Sequence, residues 1–310
     1  MESVNIALTI ILGLIVVLAS IMTWQHQRYA SARLQYVQDH QSAFYNSGTF
    51  HAMIFFKVAD DADVISMASD LVSTLETNNA GKLIYVGQSA FTNGTTSVSD
   101  TQWSGVVLMQ YAARGSFDAV LKSETFRAAL GRFESTYAHG MNRPGLLNVM
   151  MNQALLALAV MDIFTGGQAA EPLVAVKDED LGHGVLSLRE IEERLRALAP
   201  INDEAILVFN LSRPGTDEQQ AADASYGRKM ITRMARGAHG PLHIGEAVSL
   251  DDQSGFENAV LVYYPGANYF ADLITSTFFT GIIGDKQLGE NLSMPTVPII
   301  RQVRELQKNN

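Results

Sequence analysis

The chain has 310 residues, 47% of them hydrophobic, and 22 Lys and Arg against 32 Asp and Glu give a formal charge of −10. That length suits one large domain or two of ordinary size, and an acidic chain without a basic stripe excludes nucleic acid as a partner. Cysteine is absent, which excludes disulfides, thiolate metal sites and cysteine nucleophiles.

The first element is Val4–Met22, VNIALTIILGLIVVLASIM, an uncharged apolar run. At about 1.5 Å per residue it matches a bilayer core of about 30 Å and predicts a transmembrane helix over residues 1–22. A cleaved signal peptide is the competing reading. Against it, nothing basic precedes the run, and Ala30-Ser31-Ala32 lies well past its end. Trp24 and Tyr29 suit a membrane interface. Arg28 and Arg33 flank the C-terminal side and Glu2 the other. The positive-inside rule then makes this a single-pass membrane protein with its bulk in the cytoplasm, the periplasmic side being the alternative. The lipid bilayer, through Val4–Met22, is the first expected partner, and a membrane protein is a second.

Residues 23–48 read as a helical stalk: Thr23 to Tyr45 is polar, Gln-rich and free of Pro and Gly, and Asn46-Ser47-Gly48 breaks it. A first unit follows over residues 49–165. Phe50–Val58 is a β-rich run, and Val64, Ala68, Leu71 and Leu75 recur at helical spacing. Gly81–Thr92 and Trp103–Tyr111 read as strands, SFDAVLKSETF (116–126) as a helix, and RPGLLN as the start of a last short strand. The order is β-α-β-β-α-β, the ferredoxin-like motif.

Residues 166–203 are expected to be a linker, around Gly166–Gly184, and a helix capped by Ser187 with Glu190 and stopped by Pro200. The apolar stretch Leu146–Phe164 before it is interrupted by Asn148, Asn152, Gln153 and Asp162, so a packed or interfacial helix is preferred to a second span. A second unit covers residues 204–310. Ala205–Leu211 is a strand, and Thr216 with Gln219 caps a helix that ends near Gly237. PLHIGEAV and FENAVLVYY are strands, and SMPTVPII closes the unit. Its helix NYFADLITSTF (268–278) repeats the earlier one, with Phe117 answering to Tyr269, Leu121 to Leu273 and Phe126 to Phe278.

In Phe50–Val58 alternation puts Phe50, Ala52, Ile54, Phe56 and Val58 on one face and His51, Met53, Phe55 and Lys57 on the other. The purely apolar face should meet helices. The mixed face should meet another sheet, which a second unit in the same chain supplies at high effective concentration.

Asp100, Trp103, Val106, Val107 and Leu108, then SFDAVLKSETFRAAL, with Tyr85 and Gly87, carry a resemblance. Residues 50–148 resemble a small bacterial domain-of-unknown-function family, number thirteen-thirty in words, within the dimeric α+β barrel (ferredoxin-like) superfamily. The second copy departs from it, with Phe256 in place of the Trp and Phe279-Thr280-Gly281 in place of Arg127-Ala128-Ala129. The resemblance implies single domains that pair as dimers, which a tandem copy would replace. The predicted fold class is therefore α+β: a transmembrane helix, then two tandem ferredoxin-like units packed as an intramolecular dimeric α+β barrel. Related barrels include haem-degrading enzymes, cofactor-independent monooxygenases, chlorite dismutase-like proteins and muconolactone isomerase-like proteins. They hold small ligands between sheet and helices or at the barrel mouth.

His51, Lys57, Tyr85, Asn210 and His243 are the candidate pocket residues, since each points off a purely apolar face. A neutral His and a Lys of lowered pKa suit acid–base work, and the competing reading is that these groups satisfy one another across an inter-sheet seam. No metal and no cofactor is expected. Only His239 and His243 have local ligand spacing, and a strand starts between them. No Walker, Rossmann or G-x-S-x-G pattern is present. Two functions follow. The first is a membrane-anchored, non-catalytic binding or assembly module. The second is a small-molecule enzyme, a cofactor-independent or haem-type oxygenase or an isomerase, acting on an apolar substrate in a pocket of the first copy.

Overall fold

The computed structural model describes residues 2–34, 50–77, 81–142, 145–167, 169, 171–177, 187–237, 239–250 and 255–309. The first half runs α1 (Glu2–Leu34), β1 (Phe50–Lys57), α2 (Val64–Thr77), β2 (Gly81–Ser89), β3 (Asn93–Gly94), α3 (Ser97–Asp100), β4 (Gly105–Tyr111), α4 (Arg114–Lys122), α5 (Glu124–Leu130) and β5 (Ser135–Asn142). After α6 (Gly145–Phe164) and α7 (Leu188–Leu198) come β6 (Ile206–Ser212), α8 (Asp217–Arg236), β7 (Gly240–Ser249), β8 (Asn258–Tyr264), α9 (Ala267–Ile274), α10 (Thr277–Thr280), β9 (Asn291–Pro298) and α11 (Ile300–Asn309).

Eight strands close into one barrel in the order β2-β4-β1-β5-β7-β8-β6-β9, with β9 returning to β2 and the short β3 hooked onto β9. Each half supplies four strands. Two antiparallel seams join the halves, β5 to β7 from His139↔Ser249 to Asn142↔Glu246, and β2 to β9 from Gly87↔Pro298 to Ser89↔Thr296. The sheets therefore pair at both edges as well as facing each other, and this closure leaves neither half an open edge at the seams.

The inward face carries the mixed residues of β1. Phe55 lies at the centre, its ring 6.2 Å from Trp103, 5.9 Å from Tyr137 and 6.2 Å from Phe209 of the other half. Each such fully buried ring contributes about 1.5–3 kcal/mol, and Phe209, in contact with both Phe55 and Tyr85, joins the halves. The outward face of the first half packs Ile54, Phe56, Val107 and Met109 under α2, α4 and α5. The second half packs Ile206, Val208 and Val262 under α7, α8 and α9. The helices that follow the last strand of each half cross over: α6 packs on α8 and α11 on α2. Arg304 of α11 grips Glu76 of α2 with two N–H donors, at 2.5 and 2.6 Å.

The two capping boxes form as the sequence indicates, at Ser187 with Glu190 and at Thr216 with Gln219. Other expectations are corrected. Among the described residues no helix is long and apolar enough to cross a membrane. This overturns the span over Val4–Met22, and with it the transmembrane part of the fold class, the single-pass anchor and the cytoplasm-facing placement. The apolar run belongs to α1, which continues through Thr23, Gln25 and Arg28 to Leu34 without a break at a membrane-like boundary. Its large apolar side chains from Ile6 to Ile21 are exposed, and α1 meets α6. Most of the stalk, residues 35–48, lies outside the described residues, as do residues 178–186 of the linker.

The last strand of the first half is Ser135–Asn142, earlier than RPGLLN, whose Gly145 opens α6. The helix repeat also shifts by one residue. Ser123 caps α5 by accepting from the Phe126 N–H, and Ser276 caps α10 by accepting from the Phe279 N–H. Phe117 thus answers to Phe270, both buried, and Phe126 to Phe279.

Candidate functional site

The five residues singled out in the sequence do not converge on one cavity. His51 and His243 meet inside the barrel, ring centroids 5.1 Å apart and edge to face. Tyr85, also inside, shares a 2.9 Å hydrogen bond with the Thr296 hydroxyl. Burial holds the Tyr85 phenol well above its ordinary pKa, so it stays protonated. Tyr85 and His243 are structurally equivalent, each just after a bulge in β2 or β7. Lys57 sits at the barrel mouth in a 2.7 Å ion pair with Glu134, which raises its pKa; a buried, lowered lysine is not what this position holds. Nearby, His139 accepts from or donates to the Tyr137 hydroxyl at 2.9 Å, and burial pushes its pKa down to about 4.

Asn210 stands apart from the other four. The ladders set the two halves in register. Ile54 of β1 lies between Val107 and Ala138, and Asn210 of β6 between Val260 and Ser293. Asn210 is therefore the counterpart of Ile54 and faces outward, under the helices. Matching it to Lys57 is a slip in register that moves the side chain to the wrong face. The same ladders pair Phe56 with Gly105 and Thr136, and Ser212 with Asn258 and Asn291. Where the first half has Ile54, Ala138 and Phe56, the second has Asn210, Ser293 and Ser212.

Those side chains, more polar and together smaller, leave a cleft of about 540 Å³ between the outer face of β6, β8 and β9 and helices α8 and α9. Val208, Val260 and Val262 form its floor, and Met230, Met234, Phe270, Ile274 and Phe279 its walls. On α8, Asp223, Tyr226, Gly227, Met230 and Met234 line it together. Their spacing of three and four residues puts them on one helical face. A Cβ added at Gly227 would meet nothing within 4 Å. A glycine inside a helix costs about 1 kcal/mol relative to alanine, and here no packing contact requires it. What it provides is room in the cleft.

The polar end holds Asn210, Ser293, Asp223 and Lys286. The Ser293 hydroxyl donates to the Asn210 side-chain oxygen at 3.0 Å. Lys286 follows a short turn of 3-10 helix, Ile283–Asp285, that rests on α8. Burial lowers the pKa of its amine, and Asp223 partly offsets this. Burial raises the Asp223 carboxyl, and Lys286 partly offsets that. The two groups thus feel each other across the cleft, yet among the described residues no ion pair joins Asp223 to Lys286, and the neighbouring Asp285 pairs with Lys229 instead. A base and an acid flank an apolar gap. The hydroxyl of Tyr226 lies on the same face, its pKa raised by burial and by Asp223.

Sequence reasoning missed Asp223, Tyr226 and Lys286. The first two carried a signal: an acid, a tyrosine and a glycine on the apolar stripe of α8. Lys286 lies in a loop and carried none. Among the described residues no group of three or more His, Asp or Glu could hold a metal ion.

No protein-family model matches the chain, and no curated protein matches its sequence. The resemblance to the small bacterial domain family thus has no family match behind it. Solved structures are similar in part. A mutant chlorite dismutase from Candidatus Nitrospira defluvii aligns over 86% of this chain and 99% of its own, with 10% identity and a TM-score of 0.42. An anthrone oxidase-like protein aligns over 83% of this chain and 94% of its own, with 10% identity and a TM-score of 0.37. A dimeric protein of unknown function and ferredoxin-like fold from Bacteroides fragilis aligns over 32% of this chain and 99% of its own, with 16% identity and a TM-score of 0.22. At such identities and scores these likenesses carry no argument about activity.

Proposed function

We propose that the chain is a small-molecule enzyme acting on an apolar substrate held in the cleft of the second half. The oxygenase or isomerase reading moves there from the first copy, and the membrane-anchored module loses its anchor. The reaction begins with removal of a proton from an enol, a phenol or an activated C–H. Asp223 takes the proton, and the Lys286 ammonium holds the oxyanion that remains. A raised carboxyl pKa brings the base nearer to the operating pH, and the apolar walls strengthen the attraction between amine and oxyanion. Asn210 and Ser293 orient the polar edge of the substrate against β6 and β9.

One observation carries this reading. A carboxylate and an amine line the same apolar cleft without an ion pair between them. If their role were structural they would be expected to bond each other, because both are half-buried against apolar walls and a partly desolvated charge left unpaired is costly. A ligand oxygen between them would satisfy both.

The test uses 2-naphthol, an apolar ring system with one ionisable hydroxyl. Its ground-state naphtholate form is followed by ultraviolet absorbance as pH is raised. Bound to the protein it is expected to ionise at least about one pH unit below the free probe, or about 1.4 kcal/mol of preference for the anion. Lys286→Met should abolish that shift while keeping binding. An unshifted bound probe, or no binding, would refute the reading.

A further inference from the structure

We infer that the substrate has two parts, an apolar ring system in the main cleft and an uncharged, hydrogen-bonding substituent in a second cleft beside it. The inference rests on the function proposed above and narrows its substrate class. The second cleft, of about 350 Å³, shares Ser212, Asp223, Val260 and Leu288 with the first. The two are therefore chambers of one site, with Asp223 at their junction. Each lies within the range of about 300–1,000 Å³ usual for small-molecule sites.

Their linings differ. The main chamber is walled by Met, Val, Phe and Ile side chains. The second is lined by the side-chain amides of Gln220, Asn258 and Gln287. Gln220 donates to the Gly215 carbonyl at 2.9 Å and Gln287 to the Gly284 carbonyl at 3.3 Å. These bonds use one N–H of each amide and hold it in place, so the remaining amide groups are available to a ligand at little further entropic cost.

The charges of the second chamber narrow the ligand further. Among the described residues no Lys or Arg lines it, and its one charged side chain is Asp223. A phosphate or sulfate would find no cation there, and a carboxylate would face Asp223. A neutral polyhydroxyl group, such as a sugar joined to the ring system, can both donate to and accept from amides.

Isothermal titration of the full chain with 2-naphthol and with its 1-C-β-D-glucoside, which keeps the ionisable hydroxyl free, tests this. Two added neutral hydrogen bonds should make the glucoside bind about tenfold more tightly than 2-naphthol. Gln220→Leu with Asn258→Leu should remove that advantage and leave 2-naphthol affinity as it was. Both positions are exposed, and retained 2-naphthol binding reports that the variant is folded. The inference is overturned if 2-naphthol binds and the glucoside binds no better, or if the advantage survives the double variant. Failure of 2-naphthol itself to bind would instead strike the proposed function, and this inference with it.

Discussion

The two halves of the barrel share an order of strands and helices, yet the layer between sheet and helix is filled in one and open in the other. In the first half Phe56 is fully buried under the helices, its ring 5.3 Å from Phe133. Its counterpart Ser212 borders the cleft. The difference shows how a repeated scaffold divides labour. Large apolar residues on one outward face give stability, while a few small and polar ones on the other leave a chamber. The barrel interior, packed with rings from both halves, holds the two in a single body.

The largest expected effect puts the contrast at its sharpest. Phe56→Ala should destabilise the chain by about 3–5 kcal/mol, a transfer loss plus a cavity, whereas Ser212→Ala should stay within about 0.5 kcal/mol, as for surface substitutions generally. Urea unfolding measures both, and similar costs at the two positions would erase the comparison.

Next comes acid. His139 lies opposite Met53 on β1, and Met294 lies opposite Phe209 on β6, so the two are counterparts. The folded state holds His139 neutral down to about pH 4, whereas the unfolded chain protonates near 6.5. Between those values the unfolded state binds more protons, so stability falls as pH drops from 6.5 to 4, by about 3 kcal/mol in all. His139→Met makes the halves alike at this position and should flatten that part of the stability–pH curve. An unchanged slope in the variant would place the acid sensitivity elsewhere.

The smallest effect has an unusual sign. Gly227→Ala should stabilise the chain by about 0.5–1 kcal/mol, because alanine is the better helix former and its Cβ meets nothing. The same methyl enters the cleft, so affinity for 2-naphthol should drop. A variant that is more stable and binds as well as before would mean that the glycine leaves no room a ligand uses.

Periodicity made the individual elements legible. Strands β1, β4, β6 and β8 are dense in Val, Ile, Leu and Phe, and the capping boxes at Ser187 and Thr216 announce α7 and α8. Strand β5, STYAHGMN, escaped because Ser, His, Gly and Asn dilute its pattern, although Tyr137, His139 and Met141 do alternate inward. Register was not legible. Two bulges, between Leu83 and Tyr85 and between Pro241 and His243, shift the strands, and a one-residue slip in the helix repeat put Phe278 where Phe279 belongs. In a strand such a slip turns a side chain from one face to the other, which is how Asn210 joined the interior histidines on paper while it lines the outer cleft. The cleft itself needed the fold, because Asp223 and Lys286 are brought together from a helix and a distant loop.

The measurement that bears most directly on the contrast between halves is a crystal structure of the full chain with 6-bromo-2-naphthol, with the bromine located by its anomalous scattering. The account expects one peak between α8 and the outer face of β6, β8 and β9, near Gly227 and within reach of Asp223 or Lys286. A peak under α2 and α4 of the first half, or among the histidines inside the barrel, would contradict it.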